Sequence, residues 1–270
     1  MTDLARLSLN QITVDQWDVP QLVEGCLRHG IGSVSLWRHR IAETGLQRTA
    51  TLVREAGLHV SSVCRGGMFP ATDAADVARR AADNRRAVDE AAELGADVLV
   101  LVCGPAADRD LPRARAQVAD GIAALLPYAR EAGVRLGIEP LHPMMITERS
   151  VVVTLGQALD LVEQHDSPWL GVVVDAYHVW WDPELAAGMA RATGRVLGYH
   201  VSDWLTPTTD LVFGRGLMGQ GAIDLPALSA AVAAAGYAGP VEVEVLSHEQ
   251  WRRDADELVA DVRARFVDHV

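Results

Sequence analysis

Residues 131–140 read EAGVRLGIEP, and they contain one full joint of a repeating fold: a helix end, a glycine, an apolar run and an acidic stop. Gly133 stands where a helix C-terminus needs a left-handed residue. The run that follows, residues 134–139, is nearly continuous in apolar side chains, the pattern of a strand buried on both faces of a parallel sheet. The same joint recurs in RHGIGSVSLW at 28–37, EAGLHVSSV at 55–63, ELGADVLVLVC at 93–103, ATGRVLGYHV at 192–201 and AAGYAGPVEVEV at 234–245. Gly30, Gly57, Gly95, Gly194 and Gly236 occupy the position of Gly133.

With LARLSLNQI at the start and WLGVVVD in the middle, eight strands are expected. They fall near 5–12, 32–37, 58–63, 97–102, 134–139, 170–174, 196–201 and 240–245. Alanine-rich amphipathic stretches alternate with them at 19–29, 44–56, 73–94, 112–132, 155–165, 183–193, 225–235 and 249–267. Eight βα units in 270 residues predict an α/β fold, a single (β/α)8 TIM barrel filling residues 1–270 as one domain. A doubly wound sheet would use fewer strands and a Gly-rich phosphate loop after the first. The first strand here leads into QITVDQW, without GxGxxG or GxxxxGK[ST].

The bulk numbers narrow the function. Hydrophobic residues make up 49% of the chain, enough for a sizeable core. A net charge of −12 argues against nucleic acid as a partner, because phosphate binding wants a basic surface. Cys26, Cys64 and Cys103 are too few and too scattered for a disulfide framework. They read as small hydrophobes in or near the core. No apolar run is long enough to span a membrane, and MTDLARLSLNQ does not read as a secretory leader, so a cytoplasmic protein is expected.

Loops 64–72, 140–153 and 202–224 all follow strands, so in a barrel they gather on the C-terminal rim, where active sites sit. Four ionisable residues stop four consecutive strands on that rim: Glu139, Asp175, His200 and Glu244. One such residue would read as a capping charge. Four on neighbouring strands predict a single divalent cation. Three carboxylates and an imidazole suit Mn²⁺, the expected ion, as well as Mg²⁺, Co²⁺ or Zn²⁺.

Other rim residues are candidates for the substrate. His178 is a further ligand, a substrate contact or a helix-cap histidine. Arg215, before GLMGQG, is a substrate anchor on a glycine-rich loop or a solvated loop arginine. His142 is an acid–base group near neutral pH or a surface histidine. Trp37, Trp180, Trp181 and Trp204 wall a sugar pocket or serve packing, and Asn10 and Arg65 are weaker polar candidates on the same face.

The motifs IEP, VVDAYH, YHVSDW, RGLMGQGAIDLPAL and VEVEV carry a likeness over essentially the whole chain. The chain resembles the sugar phosphate isomerase/epimerase group of xylose isomerase-like barrels, which includes ketose 3-epimerases, hydroxypyruvate isomerases and inosose dehydratases. The resemblance implies one divalent cation on Glu139, Asp175, His200 and Glu244, substrate contacts from His178 and Arg215, and a homodimer or homotetramer. It implies a sugar or keto-sugar substrate deprotonated α to its carbonyl, with Glu139 and Glu244 as the catalytic pair. There is a departure: ketose 3-epimerases tend to carry asparagine where His142 stands, and LHPMM at 141–145 is more apolar than their sugar-contacting segment. That makes a lyase or dehydratase, with His142 as acid or base, the alternative, and 3-keto-glycoside-cleaving barrels look related. A non-catalytic sugar-binding barrel is an alternative of another class. An endonuclease IV-like enzyme would need more rim histidines than are present.

Overall fold

The computed structural model describes residues 3–106, 108 and 110–270. The eight barrel strands are β1 (Leu7–Asn10), β2 (Ser33–Trp37), β3 (His59–Gly66), β4 (Val98–Leu101), β5 (Arg135–Ile138), β6 (Leu170–Asp175), β7 (Val196–Val201) and β10 (Val241–Val243). All pairs are parallel, and β10 closes the barrel by pairing with both β7 and β1. A two-stranded antiparallel hairpin, β8 (Asp203–Trp204) with β9 (Arg215–Gly216), sits in the long connection after β7. No helix among the described residues is long and apolar enough to cross a membrane.

The outer ring is α1 (Val19–His29), α2 (Arg38–Thr44), α3 (Leu46–Glu55), α4 (Ala74–Glu93), α5 (Leu111–Glu131), α6 (Leu155–His165), α7 (Ala176–Val179), α8 (Leu185–Arg191), α9 (Leu225–Ala234) and α10 (Ala255–His269). Side chains of Asp18, Asp73, Asp110, Thr154, Asp224 and Asp254 accept from backbone N–H groups in the first turns of six of these helices. Those groups have no partner inside the helix, so each cap removes an exposed donor.

The joint read from sequence is real at its glycine. Gly133 has φ +74°, and a Cβ built there meets nothing within 4 Å. Only backbone conformation therefore opposes a side chain. Gly133→Ala is expected to cost about 1 kcal/mol of stability, measured as a lower urea midpoint with an unchanged slope.

Several boundaries differ from the sequence reading. The helix expected over 44–56 begins earlier and is broken at Gly45, giving α2 and α3. The last helix splits into a short 3-10 turn, Gln250–Arg252, and α10. The loop expected to open at residue 64 is partly strand, because β3 runs to Gly66. There the ladder passes from Cys64–Val100 to Gly66–Leu101, leaving Arg65 outside the register at the rim.

The barrel interior is divided. One side is apolar, where Cys64, Val98, Val100 and Val173 pack together with Trp37 and Leu197 against them. The other side is polar and buried, with Ser8, Ser35, Ser61, Ser62, Asn10 and Glu242. All three cysteines are free and buried, as expected of small core residues.

Candidate metal centre and pocket

Glu139, Asp175, His200 and Glu244 are buried at the C-terminal ends of β5, β6, β7 and β10, and one ligand atom from each lies within 4.8 Å of all the others. Parallel register does this: Asp175 stands opposite His200, and Glu242 opposite His200 one strand further on, so the ends of three strands are level. His200 Nδ1 comes within 3.1 Å of Glu139 Oε1 and 3.9 Å of Glu244 Oε2. Yet Glu139 Oε1 and His200 Nδ1 are buried without an aligned hydrogen bond. Buried polar atoms are rarely left so. An unserved Glu139 oxygen beside the carboxylates of Asp175 and Glu244 and the ring of His200 fits a bound cation. These four residues could hold a divalent metal ion.

The protein supports the quartet from behind with a residue that sequence reasoning missed. Glu242 lies beneath it, fully inside the barrel. Ser61 Oγ donates to its Oε1 at 2.8 Å and Ser62 Oγ to its Oε2 at 3.1 Å. Asn10 Nδ2 lies 3.3 Å from Glu242 and 3.1 Å from Glu244 Oε1, and His200 Nε2 is 3.2 Å from Glu242 Oε2. Glu242 thus stands on the far side of the His200 ring at ion-pair distance, without an aligned hydrogen bond, where a metal-ligating histidine usually has a carboxylate. The signal was present in VEVEV: strand side chains alternate, so Glu242 and Glu244 must share the inward face.

Arg215 is anchored rather than solvated. β9 pairs it opposite Trp204, and its Nη1 donates to Asp175 Oδ2 at 2.9 Å and Glu244 Oε2 at 3.1 Å. Its guanidinium also lies 4.4 Å from the centre of the Tyr177 ring, a contact the sequence did not suggest. The glycines after Arg215 serve the loop itself. A Cβ on Gly221 would meet the Trp204 carbonyl oxygen at 2.2 Å, and Gly221 N–H donates to Asp203 Oδ2. The backbone that this glycine admits is therefore that of the hairpin, not a ligand.

A small cavity of about 30 Å³ opens over the quartet. Trp37, Arg65, His178 and Arg215 line it, as does Arg149, which was not foreseen. Trp37 is fixed by its indole N–H, which donates to Asn10 Oδ1 at 2.8 Å. His178 is buried, and burial pushes it down to about 3, so the ring is neutral at pH 7. His142 N–H approaches its Nδ1 at 3.2 Å and Arg215 Nη2 its Nε2 at 3.1 Å. A neutral imidazole accepts at one nitrogen only, so the tautomer decides which of these is a hydrogen bond.

His142 lies outside the cavity lining. Its Nδ1 accepts from Met144 N–H at 3.3 Å, and its ring packs on Trp181 and Trp204 with centroids 5.3 and 5.1 Å apart. Trp204 also stacks on Tyr177 at 4.8 Å and leans on Trp180. Trp180, Trp181 and Trp204 form an aromatic cluster beside the cavity, while Trp37 alone of the four tryptophans lines it.

Electrostatics tie metal uptake to pH. Burial, reinforced by Glu139 and Asp175, pushes Glu244 up to about 8. Burial alone would lower His200, but Glu242, Glu139 and Glu244 outweigh it and hold it well above its usual value. Both shifts favour the protonated form, and a cation must displace a proton to bind there. Adding a divalent ion in weak buffer at pH 7 is therefore expected to release protons. Affinity should fall as pH drops below 8. Calorimetry in buffers of different ionisation enthalpy measures the number; release of no proton would refute this account.

The model of the xylose isomerase-like TIM barrel matches residues 23–264. Over 167 residues the chain is 33% identical to the 3-dehydroshikimate dehydratase of Pseudomonas aeruginosa, covering 60% of this chain and 25% of that protein. Over 159 residues it is 28% identical to the inosose isomerase of Bacillus subtilis, covering 56% and 54%. The chain thus spans a quarter and about half of the lengths of these two relatives. A crystal structure of protein SMc04130 from Sinorhizobium meliloti superposes with a TM-score of 0.97 at 47% identity, covering 99% of each chain. A ketose 3-epimerase of Arthrobacter globiformis is also related, 27% identical over 85% of this chain and 74% of that one. The family model over residues 23–264 and the closed parallel barrel place this chain in the xylose isomerase-like TIM barrel family.

Proposed function

We propose that this protein is a divalent-metal-dependent isomerase or epimerase that moves a proton α to the carbonyl of a ketose or related keto-sugar. The observation that carries this reading is the convergence of four buried ligand atoms within 4.8 Å on adjacent strand ends, beneath a rim cavity. The isomerase and epimerase among its relatives support it. Mn²⁺ is the proposed ion, and the oxygen-rich donor set suits it.

Held by Glu139, Asp175, His200 and Glu244, the ion supplies a Lewis acid that makes the C–H beside a carbonyl more acidic. The side chains do the rest. Glu139 and Glu244 both line the cavity, so one takes the proton from one face of the carbon and the other returns one to the opposite face. Asn10 Nδ2 and Arg215 Nη1 each hold one oxygen of Glu244, fixing the carboxylate plane for that transfer. Arg215 holds Asp175 below its ordinary value despite its burial, and so keeps it an anion. Neutral His178 and the indole of Trp37 border the space where sugar oxygens sit. Returning the proton to the same carbon inverts it, and returning it to the neighbour exchanges aldose and ketose.

The dehydratase relative favours a second reading, a lyase in which the same deprotonation expels a β-substituent. His142 is its acid or base, and that role asks the ring to turn from Trp181 and Trp204 toward the cavity. Solvent deuterium exchange into fructose, an inosose and 3-dehydroshikimate, followed by NMR with product identification, tests both readings. Exchange with retention of all oxygens supports the isomerase, loss of water supports the lyase, and no exchange with any compound refutes both.

A further inference from the structure

Three arginines surround the cavity, and only one of them is neutralised. Arg215 is paired with Asp175 and Glu244. Arg65 and Arg149 also line the cavity and are half-buried. Among the described residues, Arg65 donates only to the Met68 sulfur, at 3.1 Å, and the Arg149 guanidinium forms neither hydrogen bond nor ion pair. Burial, and the repulsion of Arg65 and Arg215, press Arg149 below its ordinary value. Half-buried arginines ordinarily settle on a carboxylate, because a guanidinium deprived of water needs a partner. Their position is built, not incidental. Arg65 is thrown outside the β3–β4 register at the rim. Arg149 follows the 3-10 turn Pro143–Met145, and its N–H donates to the Met145 carbonyl.

We propose that Arg65 and Arg149 form an oxyanion-binding subsite, so that the substrate is an acidic keto-sugar bearing a carboxylate or phosphate away from its carbonyl. This rests on the metal-dependent reading above and deepens it by naming the substrate class. A keto-sugar is far larger than the cavity of about 30 Å³, so its entry requires the side chains over the site to move apart. The metal end then takes the carbonyl and hydroxyl, and the two arginines take the anionic end. Fork geometry matches either oxyanion, and each lends charge-assisted hydrogen bonds that a neutral hydroxymethyl group cannot replace.

The test is binding, so it does not depend on turnover. Calorimetry on Mg²⁺-loaded protein compares fructose, fructose 6-phosphate and fructuronate. Wild-type protein is expected to bind at least one of the two anions about tenfold or more tightly than fructose, and the stronger one identifies phosphate or carboxylate. Arg149→Met and Arg65→Met should each remove most of that preference, read as the ratio of anion to fructose affinity within each variant. Arg149→Lys should retain part of it, and thermal melts verify that each variant folds. Equal binding of all three compounds by the wild type, or an undiminished preference in both methionine variants, overturns the proposal. Deuterium exchange run in parallel speaks to the proton-transfer reading alone, so the two can fail separately.

Discussion

Glu139→Gln is expected to lower α-proton exchange about a thousandfold or more, and EDTA should do the same to the unaltered protein. The substitution removes a carboxylate from the centre of the quartet and, on the proposed mechanism, one of the two proton carriers. It is nearly isosteric, so the barrel should melt close to the unaltered temperature. Metal content after dialysis gives a readout apart from activity, and it should drop together with exchange. Survival of exchange in both Glu139→Gln and Glu244→Gln, or in the presence of EDTA, would sink the metal-assisted account.

Glu242→Ala is expected to destabilise the protein by about 3 kcal/mol and to weaken metal binding by about ten- to a hundredfold. Glu242 accepts from Ser61 and Ser62 and faces His200 Nε2 inside the barrel. Its removal leaves a cavity and strips the serines, Asn10 and the His200 ring of a shared acceptor. Burial pushes Glu242 up, yet His200 and the two serines hold it below its ordinary value. Glu242→Gln keeps the size and one acceptor oxygen, so it should recover most of the stability while still loosening the metal. A denaturation midpoint shared by Glu242→Ala and the unaltered chain would show that the buried network contributes nothing.

Six of the eight strands were legible because each carries a local signature, a left-handed glycine followed by an apolar run, while β1 and β6 were read from the apolar run alone. The quartet was legible for a related reason: a strand end is a fixed place in a barrel, so an ionisable residue there can face only the rim. Boundaries were less legible where no local signal marks them. Gly45 interrupts a continuous amphipathic pattern, and periodicity carries across one glycine. Arg149 gave no sign in the sequence, because nothing local distinguishes an arginine folded over a cavity from one in solvent. The same holds for His142, whose chemistry suggested an acid–base role but whose place among Trp181, Trp204 and Met144 depends on three separate segments.

The chain by itself determined the barrel, its parallel order and the four ionisable strand ends, since all of these follow from periodicity and capping within some twenty residues. Tertiary structure alone decided the charge balance of the pocket. Arg215 meets Asp175 and Glu244 from 40 and 29 residues away, while among the described residues Arg65 and Arg149 have no carboxylate partner. Which charges are neutralised depends on distances between loops, and those are fixed only when the barrel closes and brings β10 against β1.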